Sequence, residues 1–325
     1  MTNNATPTPP ASGGGGSPAD GGAAACSCTV TISPKPVSIC GAGTTASLTA
    51  TGNPAGGTFA WSSSDATIAT VSPSANPATV TGVKAGAVTI KVTYTTGGCS
   101  PCTDTAPAKV CTCTSMNRYA SATKVVANLN AAKAKIKTRY GKLCCEKEGC
   151  GTSHALHCTY VNISNESGAV KWAQSGYGRE RNAGSAAIAA DQYAEINGDG
   201  YRIIKVPAPA EGSVHEYKIE LDPATGKWSF YFDGTRWQTL ADPFWNGKRG
   251  TSVQWTGEIH NKEDDMSGTA GNKCNFTECQ YRVRGPLVYQ DAGFSAGDPH
   301  SDDNSEWGAE RVSNTAINIW DKNPN

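Results

Sequence analysis

The chain has 325 residues, enough for two domains at about 100–200 residues each. Lys plus Arg equals Asp plus Glu at 28 each, so the formal net charge is zero, and nothing electrostatic favours nucleic acid or an anionic membrane as partner. Glycine is abundant (36), methionine is scarce (3), and Thr, Val, Ile, Tyr and Trp fill the apolar runs, a bias toward strands.

Thirteen cysteines are many for a reduced cytosolic chain that binds no metal, so the composition predicts an oxidising, extracellular or cell-surface location. The odd count leaves one thiol over or one bridge to another chain. No apolar run approaches the ~20 residues of a membrane-spanning helix. Met1 to Asn4 is polar and lacks the apolar region of an export signal, so that location implies a removed signal or an unconventional route.

Residues 1–25 are Pro, Gly, Ser, Ala and Thr, a composition that cannot bury a core and reads as a tether. Residues 26–113 read as an all-β module. Short runs at Thr29 to Ser33, Ala46 to Ala50, Thr58 to Ser62, Ala78 to Thr81 and Val88 to Tyr94 are separated by Gly, Pro and Asn. The run from Trp61 through Val71, with Val80-Thr-Gly-Val-Lys-Ala-Gly-Ala-Val-Thr-Ile-Lys-Val-Thr-Tyr94, resembles the bacterial immunoglobulin-like domain of surface proteins. In such a sandwich Trp61 would plug the space between sheets, and Gly82 and Gly86 would turn the chain into the last strand. Cys26, Cys28, Cys40, Cys99, Cys102, Cys111 and Cys113 flank or stud the module. Their spacing matches no ordinary zinc site, which favours disulfides.

Residues 114–143 read as a helical connector, with Val125, Val126, Leu129, Ala132 and Ile136 at helical spacing in a stretch rich in Ala and Lys. Residues 144–158 hold Cys144, Cys145, Cys150, His154, His157 and Cys158. These are metal-ligand residue types at a spacing that better suits a disulfide-tied loop. Residues 159–325 then return to strands, within a second domain spanning 144–325. Tyr217, Ile219 and Leu221, a turn at Asp222-Pro-Ala-Thr-Gly226, and Trp228, Phe230 and Phe232 spell a hairpin common in concanavalin-like jelly-roll sandwiches. Cys274 and Cys279 are expected to pair with each other or with the 144–158 loop.

Around that hairpin lie Trp172-Ala-Gln-Ser-Gly176, Tyr193-Ala-Glu195 and Gln254-Trp-Thr-Gly-Glu258. Their order resembles the glutamic peptidases (the eqolisin family) and, more distantly, the plant neprosins. The chain departs from the family pattern at Tyr160-Val-Asn-Ile163, which lacks a Trp, and at Gln254, where the pattern has its first Glu. The resemblance implies a jelly roll with Gln174, Glu258 and Glu195 as catalytic residues and Trp172, Tyr193 and Trp255 against a polypeptide substrate. Such chemistry needs no metal or cofactor: a carboxylate takes a proton from water and returns it to the leaving amine, while an amide steadies the oxyanion. Glu195 would raise the pKa of Glu258 by like-charge proximity.

A second reading stands beside it. Inward Gln and Glu with indole platforms such as Trp172, Trp255 and Trp237 also suit a jelly roll that binds surface glycan or peptide without cleaving it. Ser/His/Asp catalysis has no support, because His215 and His260 lack a nucleophile motif nearby. His260-Asn-Lys-Glu-Asp-Asp265 offers oxygen ligands for calcium but reads better as a solvated loop. Asn162, Asn165 and Asn275 open glycosylation sequons.

Overall fold

The computed structural model describes residues 26–111, 115–143, 155–166, 168, 170–181, 188–261, 263–285 and 287–323. The tether, Cys113, Cys144, Cys145, Cys150 and His154 lie outside them. Among the described residues the chain is built from strands, with a single turn of 3₁₀ helix at Pro243–Trp245.

The first unit has eight strands: β1 (Thr29–Ser33), β2 (Val37–Ile39), β3 (Thr45–Asn53), β4 (Thr58–Ser63), β5 (Ala69–Val71), β6 (Ala78–Gly82), β7 (Gly86–Thr95) and β8 (Cys102–Val110). They form two four-stranded sheets, β1-β3-β6-β5 and β2-β8-β7-β4. Alternation is strict: β3 and β7 expose one face and bury the other residue by residue. The inward set, including Ile39, Leu48, Trp61, Val80, Ile90, Val92 and Tyr94, closes one apolar core. Cys26–Cys99 and Cys28–Cys102 are disulfides, and Cys40 and Cys111 are also disulfide-bonded.

The second unit runs through β9 (Ser115–Lys137), β10 (Ala155–Asn165), β11 (Lys171–Arg181), β12 (Ala189–Asn197), β13 (Tyr201–Pro207), β14 (Val214–Asp222), β15 (Lys227–Phe232), β16 (Thr235–Ala241), β17 (Gly250–Asn261), β18 (Gly268–Thr269), β19 (Asn272–Val283), β20 (Gln290–Asp291), β21 (Pro299–Ser301), β22 (Trp307–Ser313) and β23 (Ala316–Asp321). The order β13-β12-β11-β10-β17-β9 makes one antiparallel array. Beyond it β9 pairs with β14 and β19, and these lead to β15, β16, β22 and β23. The inner faces enclose a core with Tyr177, Tyr217, Trp228, Phe230, Trp245, Trp255 and Phe276. The hairpin expected at 215–234 is β14–β15, in the register Tyr217 to Phe232, Ile219 to Phe230 and Leu221 to Trp228.

The expected helical connector is corrected. Residues 115–137 are one 23-residue strand, β9. Ala132, Ala134 and Ile136 are buried while Lys133, Lys135 and Lys137 are half-buried, which is a period of two. Asn128, at φ 62°, breaks that period, and Val125 is exposed rather than on an apolar stripe. Near Asn128 the strand changes partners, from β17 to β14 and β19. A helix-favouring composition yields here to pairing on both edges.

The expected pairing of Cys274 and Cys279 is also corrected: both are free and buried, as is Cys158. A register shift between Thr277 and Gln280, with Glu278 at φ 52°, separates the two on β19. Cys274 Sγ instead faces the Lys137 carbonyl at 3.2 Å.

Candidate functional site

The array β13-β12-β11-β10-β17-β9 has one face in the core. The other forms the floor of a groove of about 620 Å³. Strand parity decides which side chains reach it. On β10 they are Cys158, Tyr160, Asn162 and Ser164, while Val161 and Ile163 point into the core. On β17 they are Gln254, Thr256, Glu258 and His260, while Val253, Trp255 and Ile259 point into the core.

Register sorts the floor into rows. The first runs Glu195, Gln174, Asn162, Gln254, Thr123 across β12, β11, β10, β17 and β9. The second runs Tyr193, Gly176, Tyr160, Thr256, Ser121, and the third Asp191, Gly178, Cys158, Glu258, Tyr119. Gly176 is required where it stands: a Cβ there would lie 1.9 Å from the Thr159 carbonyl oxygen.

In the first row Glu195 is only 7% exposed. Its carboxylate accepts a hydrogen bond from Trp172 Nε1 at 2.9 Å and another from Gln174 Nε2 at 3.0 Å. Gln174 Oε1 accepts from Asn162 Nδ2 at 3.2 Å. Burial raises the pKa of Glu195 above its ordinary value; the bonds from Trp172 and Gln174 oppose the rise, and the Glu258 charge adds to it.

Glu258 belongs to a different cluster. Tyr160 donates its hydroxyl to Oε2 at 2.9 Å, and His260 Nε2 lies 2.8 Å from Oε1. Asn117 Nδ2 approaches Oε1 at 3.4 Å, and the Cys158 thiol approaches Oε2 at 3.8 Å. Burial, then the Glu258 charge, pushes the Tyr119 phenol up to about 12 and the Tyr160 phenol well above its usual value, so both stay protonated as donors.

Gln174 and Glu195 are therefore brought into direct contact, with Trp172 on the same carboxylate, and Tyr193 lines the groove beside them. Gln174 and Glu258 share the face but not a contact. They register with Asn162 and Cys158, four residues apart on β10, or ~13 Å along the strand at ~3.3 Å per residue, with Tyr160 between. That spacing holds apart two residues which the resemblance groups together as catalytic. Trp255 is corrected too: it is fully buried in the core, its Nε1 donating to the Lys133 carbonyl. It has the opposite parity from Gln254 and Glu258, a signal present in the sequence. Trp237 also packs against the core rather than lining the groove.

Sequence reasoning missed Asn162, Tyr160 and His260 as site residues. The alternation of β10 beside the Gln174 strand is the signal that finds the first two.

The remaining candidates are structural. His157 is fully buried; its Nε2 accepts from Gly141 N–H at 3.1 Å, and burial pushes its pKa down to about 3. Asp264 is buried and accepts from Leu156 N–H at 3.1 Å. Among the described residues no group of three or more His, Cys, Asp or Glu is placed to hold a metal ion, and no helix is long and apolar enough to cross a membrane.

Comparison with solved structures finds the scytalido-glutamic peptidase bound to a transition-state analogue inhibitor, at 14% identity and TM-score 0.45, covering 64% of this chain and 100% of that one. SCP-B, a member of the eqolisin family of peptidases in complex with the tripeptide Ala-Ile-His, is similar at 12% identity and TM-score 0.41, with 64% and 100% covered. A putative beta-glucanase from Mycobacterium abscessus is similar at 11% identity and TM-score 0.29, with 72% and 75% covered. No protein of curated function matches the sequence significantly. Residues 28–103 match the family model of the bacterial Ig-like domain (group 2), and the first unit is a domain of that family.

Proposed function

We propose that the second unit hydrolyses peptide bonds at acid pH, with Glu195 and Gln174 as its reacting pair, outside the cytoplasm. One observation carries the reading: a buried groove carboxylate of raised pKa in direct contact with a carboxamide. Gln254 stands where the glutamic-peptidase pattern has a Glu, so the Gln174 row contains one carboxylate, and that is Glu195. Ionised Glu195 takes a proton from the attacking water and returns it to the leaving amine. Proton transfer is most efficient when the pKa lies near the working pH, and a carboxylate in this role is the reason an acid optimum is proposed. Gln174 has a second amide hydrogen beyond the one given to Glu195, and that hydrogen can meet the oxyanion. The Cys26–Cys99 and Cys28–Cys102 disulfides support the location.

Peptide is preferred to glycan as substrate because the indole platform is thin. Of Trp172, Trp237 and Trp255, only Trp172 lines the groove, and its N–H is committed to Glu195.

The test is cleavage of an unfolded protein across acid to neutral pH by wild type, Glu195→Gln and Glu258→Gln. Glu195→Gln is expected to lower turnover by about 10²–10⁴. Glu258→Gln is expected to cost less than about tenfold, since its hydrogen-bonding cluster is separate from the pair. The opposite ranking moves the acid–base role to Glu258. No cleavage by wild type at any pH leaves a binding protein.

A further inference from the structure

Strand β11 sends two side chains to one carboxylate. Trp172 and Gln174 stand two residues apart on the groove face, and Gln174 registers with Glu195 on β12. Trp172 is then the diagonal neighbour of Glu195, at the ~7–8 Å separation that only a long or aromatic side chain spans. Its indole does so: Nε1 donates to Glu195 Oε1 at 2.9 Å, while Gln174 Nε2 donates to Oε2 at 3.0 Å. Each carboxylate oxygen is tied by a different residue, which fixes the last torsion of the side chain.

Nothing else supplies the bond that Trp172 makes. Among the described residues Glu195 takes its side-chain hydrogen bonds from Trp172 and Gln174. On its far side the register partner is Ile203 of β13, whose side chain has no donor. The ionisable groups that share the face are Glu258 and His260 on β17, Cys158 and Tyr160 on β10, and Tyr201 and Lys205 on β13, with Lys205 tied to Glu180 of β11. Burial raises the pKa of Glu195; the Trp172 bond is the first of the groups that oppose the rise and Gln174 the second, ahead of the Glu258 and His260 charges.

Direction matters as much as contact. Ionised Glu195 only accepts, so Gln174 turns its amine toward it and its carbonyl away. Asn162, buried on β10, meets that carbonyl with its own amine at 3.2 Å and holds the amide in this sense. The donors of Asn162, Gln174 and Trp172 therefore all run toward the carboxylate, an order that favours the ionised form against the burial that opposes it.

We infer that Trp172 is a positioning residue for the Glu195–Gln174 pair rather than a platform for the substrate: its indole N–H fixes the Glu195 carboxylate and keeps it in the proton-accepting form. For catalysis this rests on the hydrolase reading above; for the state of the carboxylate it does not.

NMR of the full chain, with glutamate labelled at its carboxyl carbon, follows Glu195 across pH, its signal assigned by its loss in Glu195→Gln. Two changes remove the N–H: Trp172→Phe, and benzothienylalanine in place of Trp172, which keeps the shape of the indole and so its packing. In both, the titration midpoint of Glu195 is expected to move to higher pH by about one pH unit, the size of one hydrogen bond to a charged group. Cleavage of an unfolded protein gives the second readout. The acid limb of kcat/KM should move with the midpoint, and KM should stay within about twofold, since an aromatic face remains. A midpoint that stays in place with the isostere overturns the inference. So does a raised KM with the acid limb unmoved, which is the response of a substrate platform. A moved midpoint with no cleavage by wild type at any pH supports this inference and removes the hydrolase. Cleavage by wild type with an unmoved midpoint in the variants does the reverse.

Discussion

The two β units use alternation differently. In the immunoglobulin-like unit each strand has a wet face and a dry face, and the buried positions of β3 and β7 are apolar. In the second unit β11 and β12 are buried through their middle on both faces, and one face is polar: Gln174 and Glu195 stand there, backed by Ala173 and Ala194. Wet-and-dry alternation is enough to hold a sandwich together. A strand buried on both sides with carboxylate and carboxamide on one of them carries a desolvation cost that the fold does not need, and such sites are where function is to be sought.

The sharpest way to break this contrast is to damage each unit and ask whether the other responds. Trp61→Ala removes a buried indole from between the first unit's sheets and is expected to destabilise that unit by about 3–5 kcal/mol. Denaturant unfolding of a fragment spanning residues 26–111 under oxidising conditions measures it, and cleavage by the full-length variant should be unchanged. A large fall in turnover would mean that the groove depends on the first unit.

Gln174→Ala acts on the polar face alone. It is expected to lower turnover by about 10²–10³ if the amide serves the oxyanion, and to cost about 1–3 kcal/mol of stability because Glu195 and Asn162 each lose a buried partner. A rise in KM without loss of kcat would make Gln174 a binding group.

The smallest expected effect is on stability against pH. Because burial raises the pKa of Glu195, the folded protein binds that proton more readily than the unfolded chain. This contribution is fully present below the unfolded pKa, near 4.5, and is lost as pH rises through the raised folded value. Glu195→Gln removes it. The variant should therefore gain stability relative to wild type on going from acid to neutral pH. Asp191 and Asp321 are raised for the same reason and keep a residual slope of the same sign in the variant. Unfolding midpoints at a series of pH values check this, and a wild-type-to-variant difference independent of pH would remove burial of Glu195 as the cause.

Much of this was legible in residues alone. The β14–β15 hairpin follows from Tyr217, Ile219 and Leu221 alternating up to Asp222, whose carboxylate caps the turn through Ala224 N–H and the Thr225 hydroxyl. The strand β9 was not legible, because Ala-Ala-Lys-Ala-Lys-Ile satisfies a period of two and a helical spacing equally, and Asn128 interrupts the first. Pairing with four other strands decides it, and that information lies elsewhere in the chain. At the site, Gln174 and Glu195 were singled out by their motifs. That they touch, while Glu258 stands four residues away along β10, depends on the register among β10, β11, β12 and β17. Register is fixed by the whole array and not by any one strand.

The long strand β9 also sets the timetable of folding. It is made before every strand that pairs with it, and its partners follow far behind: Tyr119 N–H bonds to Asp302, 183 residues later. At the ~5–20 residues per second of protein synthesis, that partner emerges about ten to forty seconds afterwards. Until β14 and then β17 emerge, a strand with an alternating apolar edge stands unpaired, open to pairing with another copy. The floor of the groove is complete once β17 is made, and only its His300 and Asp302 wall waits for the last tenth of the chain. Its assembly is therefore slow and dominated by distant contacts, and the nascent chain is at its most vulnerable before the groove exists.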